Sequence, residues 1–371
     1  MKVIFTCGGT AGHVNPALAL AGYMGERHPD ARFLFVGTPH GMEKGLAENA
    51  GYDYVGIEVS NFRRKFDADG IRHNLHTAKT LFTSRREAER VLTDFAPDLV
   101  VGTGGYASYP ILRAAAAKGI PTAVHESNMI PGLTTKMLEN RVDKIMVGFE
   151  DCRAHYQHPE KVEVTGTPVR GDFFRLTKQQ ARELLQIPQN IPLIVSFWGS
   201  LGADTMNRKM LDFFAAEAEN GYPFHHVHAA GKGSWHMVEE ALREKSLSHP
   251  RLDVREYIHD MPLLMRGADL IICRAGASTI SELTALGMPA IMVPSPFVVA
   301  NHQEKNARIL EKHGGTVVLP ESEADGDRLY GEAAKILSDP QRLSAMSRGM
   351  ASLGVPDATQ RIYDTVTSLM R

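Results

Sequence analysis

Twelve short apolar runs rich in β-branched residues alternate with amphipathic segments along the chain, and that alternation limits the possible folds more than any other feature. KVIFTC, ARFLFVG, DLVVGTG, PTAVHES, KIMVGF and KVEVTG lie in the first half. LIVSFWG, FHHVHAAG, LDVREYI, LIICRAG, PAIMVPS and GGTVVLP lie in the second. Such runs read as strands buried on both faces, and segments such as NPALALAGYMGERH and ADTMNRKMLDFFAAEAE between them have helical spacing. Strand, helix, strand, repeated, predicts parallel sheets with right-handed crossovers. At 371 residues the chain exceeds one ordinary core, so two domains are expected. Gly and Pro punctuate the exit from the sixth run at TGTPVRGDFF, 165–174, and the sheet pattern restarts at LIVSFWGS. The expected class is α/β, with two doubly wound, Rossmann-like domains of similar size.

Composition removes several function classes. A net charge of −2 argues against nucleic acid as the main partner. Cys7, Cys152 and Cys273 are far apart, have no metal-ligand spacing, and fit a reducing compartment. Lys2 is followed by only VIFTC before the first glycines, so no secretory leader is expected. No apolar run approaches a membrane span.

Ligands of doubly wound sheets bind at the carboxyl ends of the strands. There the glycines collect, in GGTAGH, GTGGYASYP, FWGSLGA, AAGKGS and CRAGAST. A single such loop is explained by a tight turn, but five at matching positions point to nucleotide or oligosaccharide chemistry. GGTAGH is not GxGxxG, and Thr38 and Pro39 stand where a ribose-binding acid would follow ARFLFVG, which disfavours a nicotinamide cofactor. What remains is a helix N-terminus with free N–H groups and His13 beside it. A neutral imidazole there can take a proton from a hydroxyl. The motif alone leaves two readings open, a base and a locally packed histidine.

CRAGASTISEL, residues 273–283, comes with GGTAGHVNPALA, GTGGYASYP, HESNMIPG, TGTPVR, GSLGA, AGKGS, NHQEKNA and VPDAT. These nine motifs, spread over residues 8–358, resemble the MurG family of N-acetylglucosaminyltransferases, glycosyltransferase family 28. The resemblance implies a GT-B fold: two Rossmann-like doubly wound domains with parallel sheets facing a central cleft. It places an N-terminal acceptor and membrane domain at 1–166, with 356–371 crossing back onto it, and a C-terminal UDP-GlcNAc domain at 167–355. It implies inverting transfer of GlcNAc from UDP-GlcNAc to the 4-hydroxyl of MurNAc in lipid I, giving lipid II, with no cofactor and no catalytic metal.

The same resemblance assigns residues. Glu282 matches the ribose-binding carboxylate, Ala277, Ser278 and Thr279 the turn facing the α-phosphate, and Ile258 the backbone that reads uracil. Gln303 and Asn306 match the sugar region, although a polar helix start capped by Asn301 is the plainer reading. Ser200, with Gly199, Leu201 and Gly202, can face the diphosphate. Arg170 matches a residue near the pyrophosphate, or serves as a structural ion pair. On the first domain His13 and Glu126 match catalytic positions, Thr10, Gly12 and Asn128 match positions that bind UDP-GlcNAc, with Asn128 able to hold the GlcNAc or the acceptor, and Gly9 and Tyr106 fall on the acceptor side. His13 and Glu126 remain alternative bases.

Asp67-Ala68-Asp69 and Asp325-Gly326-Asp327 have the Asp-x-Asp form of metal-dependent transferases, but both read as solvated loops. His225, His226 and His228 lie in a predicted strand, where His225 faces away from the other two, so zinc is not expected. Residues 61–90 hold eight Lys/Arg and four Asp/Glu, net +4. Ile71, Leu75, Ala78, Leu81 and Phe82 recur there at helical spacing beside Arg72, Lys79, Arg85 and Arg86. The spacing alone fits a surface helix packed on the core. The resemblance favours peripheral contact with anionic lipid at the cytoplasmic face of the bacterial membrane, and other cell-wall enzymes as partners. Trp198, Leu201, Ser127 and Thr167 depart from common family choices, and Trp198 is expected to pack behind its loop. Three other classes stay open: a UDP-GlcNAc 2-epimerase-like isomerase, another lipid glycosyltransferase, and a non-catalytic nucleotide-sugar-binding protein.

Overall fold

A computed structural model describes residues 1–59, 83–298 and 301–370. The chain divides into two compact units, Met1–Val169 with Val355–Arg371, and Arg170–Gly354. The first unit holds seven parallel strands: β1 (Lys2–Thr6), β2 (Arg32–Gly37), β3 (Asp53–Gly56), β4 (Leu99–Gly102), β5 (Thr122–Glu126), β6 (Lys144–Val147) and β7 (Val162–Val164). Their order is β3-β2-β1-β4-β5-β6-β7. The second unit holds β8 (Leu193–Phe197), β9 (His225–Ala229), β10 (Leu252–Arg255), β11 (Leu270–Cys273), β12 (Ala290–Met292) and β13 (Thr316–Val318). Their order, β10-β9-β8-β11-β12-β13, repeats the same winding, so both units are doubly wound α/β sheets.

All twelve apolar runs contain a strand, and among the described residues β3 is the strand they miss. It is four residues long, sits at the sheet edge, and none of its residues is buried, so it lacks the apolar signature. In each sheet the winding reverses beside the first strand, between β1 and β4 and between β8 and β11. That reversal opens a crevice at the strand ends. GGTAGH and GTGGYAS leave the strands at the first crevice, FWGSLGA and CRAGAST those at the second.

The chain returns to the first unit through the helix Ala358–Ser368. Ile362 and Val366 are buried in that unit's core, worth about 3–6 kcal/mol together before ordering costs. His28 Nε2 meets Tyr363 Oη at 2.8 Å, and the Arg27 guanidinium lies 3.4 Å over the Tyr23 ring.

Candidate active site

His13 lies in the first turn of the helix Ala11–Arg27. Its Nδ1 lies 2.9 Å from the carbonyl oxygen of Gly8. A carbonyl can only accept, so Nδ1 carries the hydrogen and Nε2 of the neutral ring keeps its lone pair. Thr10 Oγ1 stands 3.4 Å from the same Nδ1, and Thr103 Oγ1 donates to the His13 carbonyl over 2.5 Å. The ring rests on Gly104, where φ is +104° and a Cβ would come within 2.8 Å of His13 Cδ2. Ser108 Oγ reaches the carbonyls of Thr6 (3.1 Å) and Gly104 (2.7 Å), tying the two glycine loops together. The loops therefore fix both the position and the tautomer of one half-buried histidine.

Glu126, at the end of β5, is buried and fully engaged. Oε1 accepts from the Asn128 amide (3.1 Å) and Asn128 Nδ2 (3.0 Å), and Oε2 from the Gly132 amide (2.9 Å) and Thr135 Oγ1 (2.7 Å). Four donors on two oxygens describe an ionised carboxylate organising a turn, with no lone pair directed at an incoming hydroxyl. The expectation that Glu126 rivals His13 as base meets this geometry, which gives it another task. Because Asn128 Nδ2 donates to Glu126, Oδ1 is the side-chain atom left to accept. His125 donates from Nε2 to the Gly166 carbonyl over 2.9 Å, and burial holds its pKa below the usual histidine range.

Glu43 escaped the sequence reading. It is fully buried behind the opening loop, and its Oε1 accepts from the Thr38 amide (2.9 Å) and hydroxyl (2.6 Å). Burial pushes its carboxyl up, but the Thr38 hydroxyl and amide with the Gly9 amide outweigh that and hold it below the usual range. This charge offsets part of the positive helix end behind GGTAGH. Gly9 borders open space, and Tyr106 is exposed on the facing loop.

The second unit holds a cavity of about 500 Å³ lined by Gly199, Gly202, Thr205, Gly276, Thr279 and Gln303 among others. Gln303 Oε1 accepts the Ser295 amide over 2.8 Å, leaving Nε2 to donate. Ala277, Ser278 and Thr279 open the helix Ala277–Leu286, and Glu282 follows one turn later. Burial pushes the Glu282 carboxyl up to about 7, against the pull of the Arg170 guanidinium. Arg170 itself is exposed, 5.6 Å over the Phe173 ring. Ser200 is exposed on its loop, and the Ile258 side chain is buried, leaving its backbone as the group to recognise a base.

Comparison with known proteins decides the family. The glycosyltransferase family 28 N-terminal domain matches residues 3–147, and the family 28 C-terminal domain matches residues 193–362. The chain belongs to glycosyltransferase family 28. It is 40% identical over 371 residues to the UDP-N-acetylglucosamine--N-acetylmuramyl-(pentapeptide) pyrophosphoryl-undecaprenol N-acetylglucosamine transferase of Acetivibrio thermocellus, covering 100% of this chain and 99% of that one. The crystal structure of Acinetobacter baumannii MurG aligns over 99% of both chains with TM-score 0.77 and 25% identity. A putative UDP-N-acetylglucosamine 2-epimerase from Listeria monocytogenes shares the fold, with TM-score 0.70 over 99% of this chain and 96% of that one at 13% identity.

Within this family 28 chain, several expected loop features take other forms. Asp325 is the N-cap of the helix Gly326–Leu337 and accepts the Arg328 amide over 2.8 Å, while Asp327 lies in its first turn. The second Asp-x-Asp is thus a helix start rather than a loop. Asp67-Ala68-Asp69 lies outside the described residues, as do Ile71, Arg72, Leu75, Ala78, Lys79, Leu81 and Phe82 of the basic segment. In its described remainder, Ala88 is buried, Arg85 pairs with Glu89 at 2.9 Å, and Arg86 is exposed. Asn301 precedes the helix His302–Lys312, but its Nδ2 donates to Glu304 Oε2 instead of its side chain capping an amide.

Trp198 is 4% exposed and packs in the core while also lining the cavity. Its ring lies 5.7 Å from the Arg274 guanidinium, which Glu321 Oε2 (2.6 Å) and the Val293 carbonyl (3.0 Å) hold in place. Arg274 stood inside a recognised motif, yet no spacing in the sequence marks its partners. Leu201 is 74% exposed, and the bond it makes is through its carbonyl, to the Gly233 amide at 3.0 Å.

Proposed function

We propose that this glycosyltransferase moves GlcNAc from UDP-GlcNAc to the 4-hydroxyl of MurNAc in undecaprenyl-diphospho-MurNAc-pentapeptide, lipid I, with inversion, to give lipid II. The names of the full-length relatives support the substrates. The observation that carries the mechanism is the placement of His13, with Nδ1 on the Gly8 carbonyl, which leaves Nε2 as the ring atom to take a proton. Inversion needs one displacement and one base. His13 Nε2 takes the acceptor proton as the oxygen attacks the anomeric carbon. Glu126 holds Asn128 Nδ2, which leaves Oδ1 to accept from a sugar hydroxyl. Thr10 and Gly12 border His13, and Gly9 and Tyr106 leave room for the acceptor.

The leaving UDP gains negative charge, which backbone N–H groups meet without reorganising. Ser200 with its loop and Ala277, Ser278 and Thr279 at a helix N-terminus supply such donors, and Arg170 adds a cation. The Ile258 backbone reads uracil, Gln303 Nε2 donates to the sugar, and Glu282 accepts both ribose hydroxyls. Ionised Glu282 accepts both hydroxyls in charge-assisted bonds, roughly twice as strong as those a neutral carboxyl accepts. Since its carboxyl titrates at about 7, donor affinity rises with pH up to about 7 and then levels. Below that point it falls, by at most about tenfold per pH unit. Calorimetric titration of UDP-GlcNAc across pH 5.5–8.5 checks this, and Glu282→Gln removes the slope.

The acceptor is a lipid, so we place the chain at the cytoplasmic face of the cell membrane, held peripherally; other cell-wall enzymes are its expected neighbours. Among the described residues no helix is long and apolar enough to cross a membrane. The basic segment 61–90 supplies attraction, and exposed Leu133 and Met137 with Lys136 between them add an apolar contact. Each basic residue at the surface contributes about 1 kcal/mol and is screened by salt. Flotation with phosphatidylglycerol vesicles is expected to weaken steeply from low to high salt, and salt-independent binding contradicts the electrostatic part. The transfer itself is tested by UDP release from UDP-GlcNAc with and without a short-chain lipid I analogue. Release that needs the analogue supports the proposal, and equal release without it contradicts it.

A further inference from the structure

Beneath the loops of the second unit runs a chain of buried polar side chains that the donor chemistry does not use. Glu217 Oε1 lies 3.0 Å from His226 Nδ1, His226 Nε2 lies 2.8 Å from Ser196 Oγ, and Ser196 Oγ lies 2.6 Å from His228 Nδ1. His228 Nε2 lies 3.0 Å from Asn207 Oδ1, and Asn207 Nδ2 donates to the Ala230 carbonyl over 2.7 Å. All five side chains are at most 1% exposed. Asn207 and Glu217 stand on one helix, Asp204–Glu219, about 15 Å apart along its axis. His226 and His228 share a face of β9, and Ser196 of β8 is the register partner of His228. Phe213 and Phe214 meet the His226 ring edge-on at 5.1 and 5.2 Å.

The bonds run in one direction. The Ala230 carbonyl only accepts, so Asn207 gives it Nδ2 and turns Oδ1 to His228. His228 therefore donates from Nε2. Burial, reinforced by His226, pushes His228 down to about 3, so its ring is neutral and Nδ1 is a lone pair. Ser196 must donate to that lone pair, and it accepts from His226 Nε2–H. One proton remains between His226 Nδ1 and Glu217 Oε1. Running the chain backwards would set Asn207 Oδ1 against the Ala230 carbonyl, two acceptors face to face.

Ala230 opens the AAGKGS turn, which is stitched to the Gly199–Gly202 loop. The Lys232 amide reaches the Ser200 carbonyl at 3.2 Å, the Gly233 amide the Leu201 carbonyl at 3.0 Å, and Ser234 Oγ reaches Asp204 Oδ1 at 2.5 Å. Gly199, Gly202 and Asp204 line the 500 Å³ cavity. We propose that Ser196, His226 and Glu217 are positioning residues for donor binding. Asn207, oriented by the Ala230 carbonyl, fixes which nitrogen of His228 carries the proton, and Ser196, held by His226 and Glu217, meets the other nitrogen, so that His228 and Asn207 stay in place behind the turn that backs the donor cavity. This rests on reading that cavity as the donor site.

The test joins imidazole ¹⁵N–¹H NMR of the full chain to donor kinetics of Ser196→Ala. Wild-type His228 is expected as the Nε2–H tautomer. Ser196→Ala is expected to keep the Nε2–H tautomer but leave Nδ1 without a donor, and to raise the donor KM about tenfold with kcat little changed, the effect of one hydrogen bond. His228 found as Nδ1–H in the wild type overturns the proposal even if the variant fails to fold. A folded Ser196→Ala with an unchanged donor KM overturns the positioning role. A wild-type chain that binds no UDP-GlcNAc contradicts the donor reading and the donor role together, while the tautomer pattern still decides the direction of the bonds.

Discussion

Alanine at position 13 is expected to lower acceptor-dependent transfer by about 10²–10⁴-fold, the range of a lost general base. Donor affinity is expected to change little, because His13 stands on the first unit and the groups proposed for the uridine and diphosphate stand on the second. The side chain is half-buried and its one close hydrogen bond is to a neighbouring carbonyl, so its removal costs little stability. Steady-state transfer and UDP-GlcNAc calorimetry on the same preparation separate the two effects. Near-normal turnover would remove His13 from the chemistry.

The second large effect falls on stability. Glu126→Gln keeps the shape of the side chain but turns an amide NH₂ toward donors that now have no acceptor. At least two of the four bonds are lost, each worth about 1.5–3 kcal/mol when the acceptor is charged. The expected loss is about 3–6 kcal/mol, a fall in Tm of roughly 6–24 °C for a unit of this size. Transfer falls too, since Asn128 loses its anchor. Scanning calorimetry decides between the roles that the sequence left open. A base at Glu126 would cost turnover with Tm unmoved, whereas an organising carboxylate costs Tm first.

The sheets were legible because parallel strands buried on both faces must be continuously apolar, and each apolar run contains one. β3 was not, because a short edge strand with no buried residue carries no such pattern. The glycine loops were legible as loops at strand ends. Their internal logic was not, because it rests on contacts distant in sequence. Gly104 is a glycine on account of the ring of His13, ninety-one residues earlier. Glu126 stood out as a carboxylate after a strand, but only the folded turn shows that four donors have already claimed it. Glu43 gave no signal at all, since GMEKGL reads as an ordinary first turn of a helix. The histidines of β9 looked like a metal site to be dismissed, and they turn out to be links in a hydrogen-bonded chain whose partners lie on another strand and a helix.

The product of the reaction tests the central claim most directly. Incubated with UDP-GlcNAc and a lipid I analogue, the chain is expected to yield a lipid-linked disaccharide. NMR of the product should show a β-1,4 linkage formed from an α-linked donor. UDP-ManNAc formed without acceptor, or an α-linked disaccharide, would contradict it.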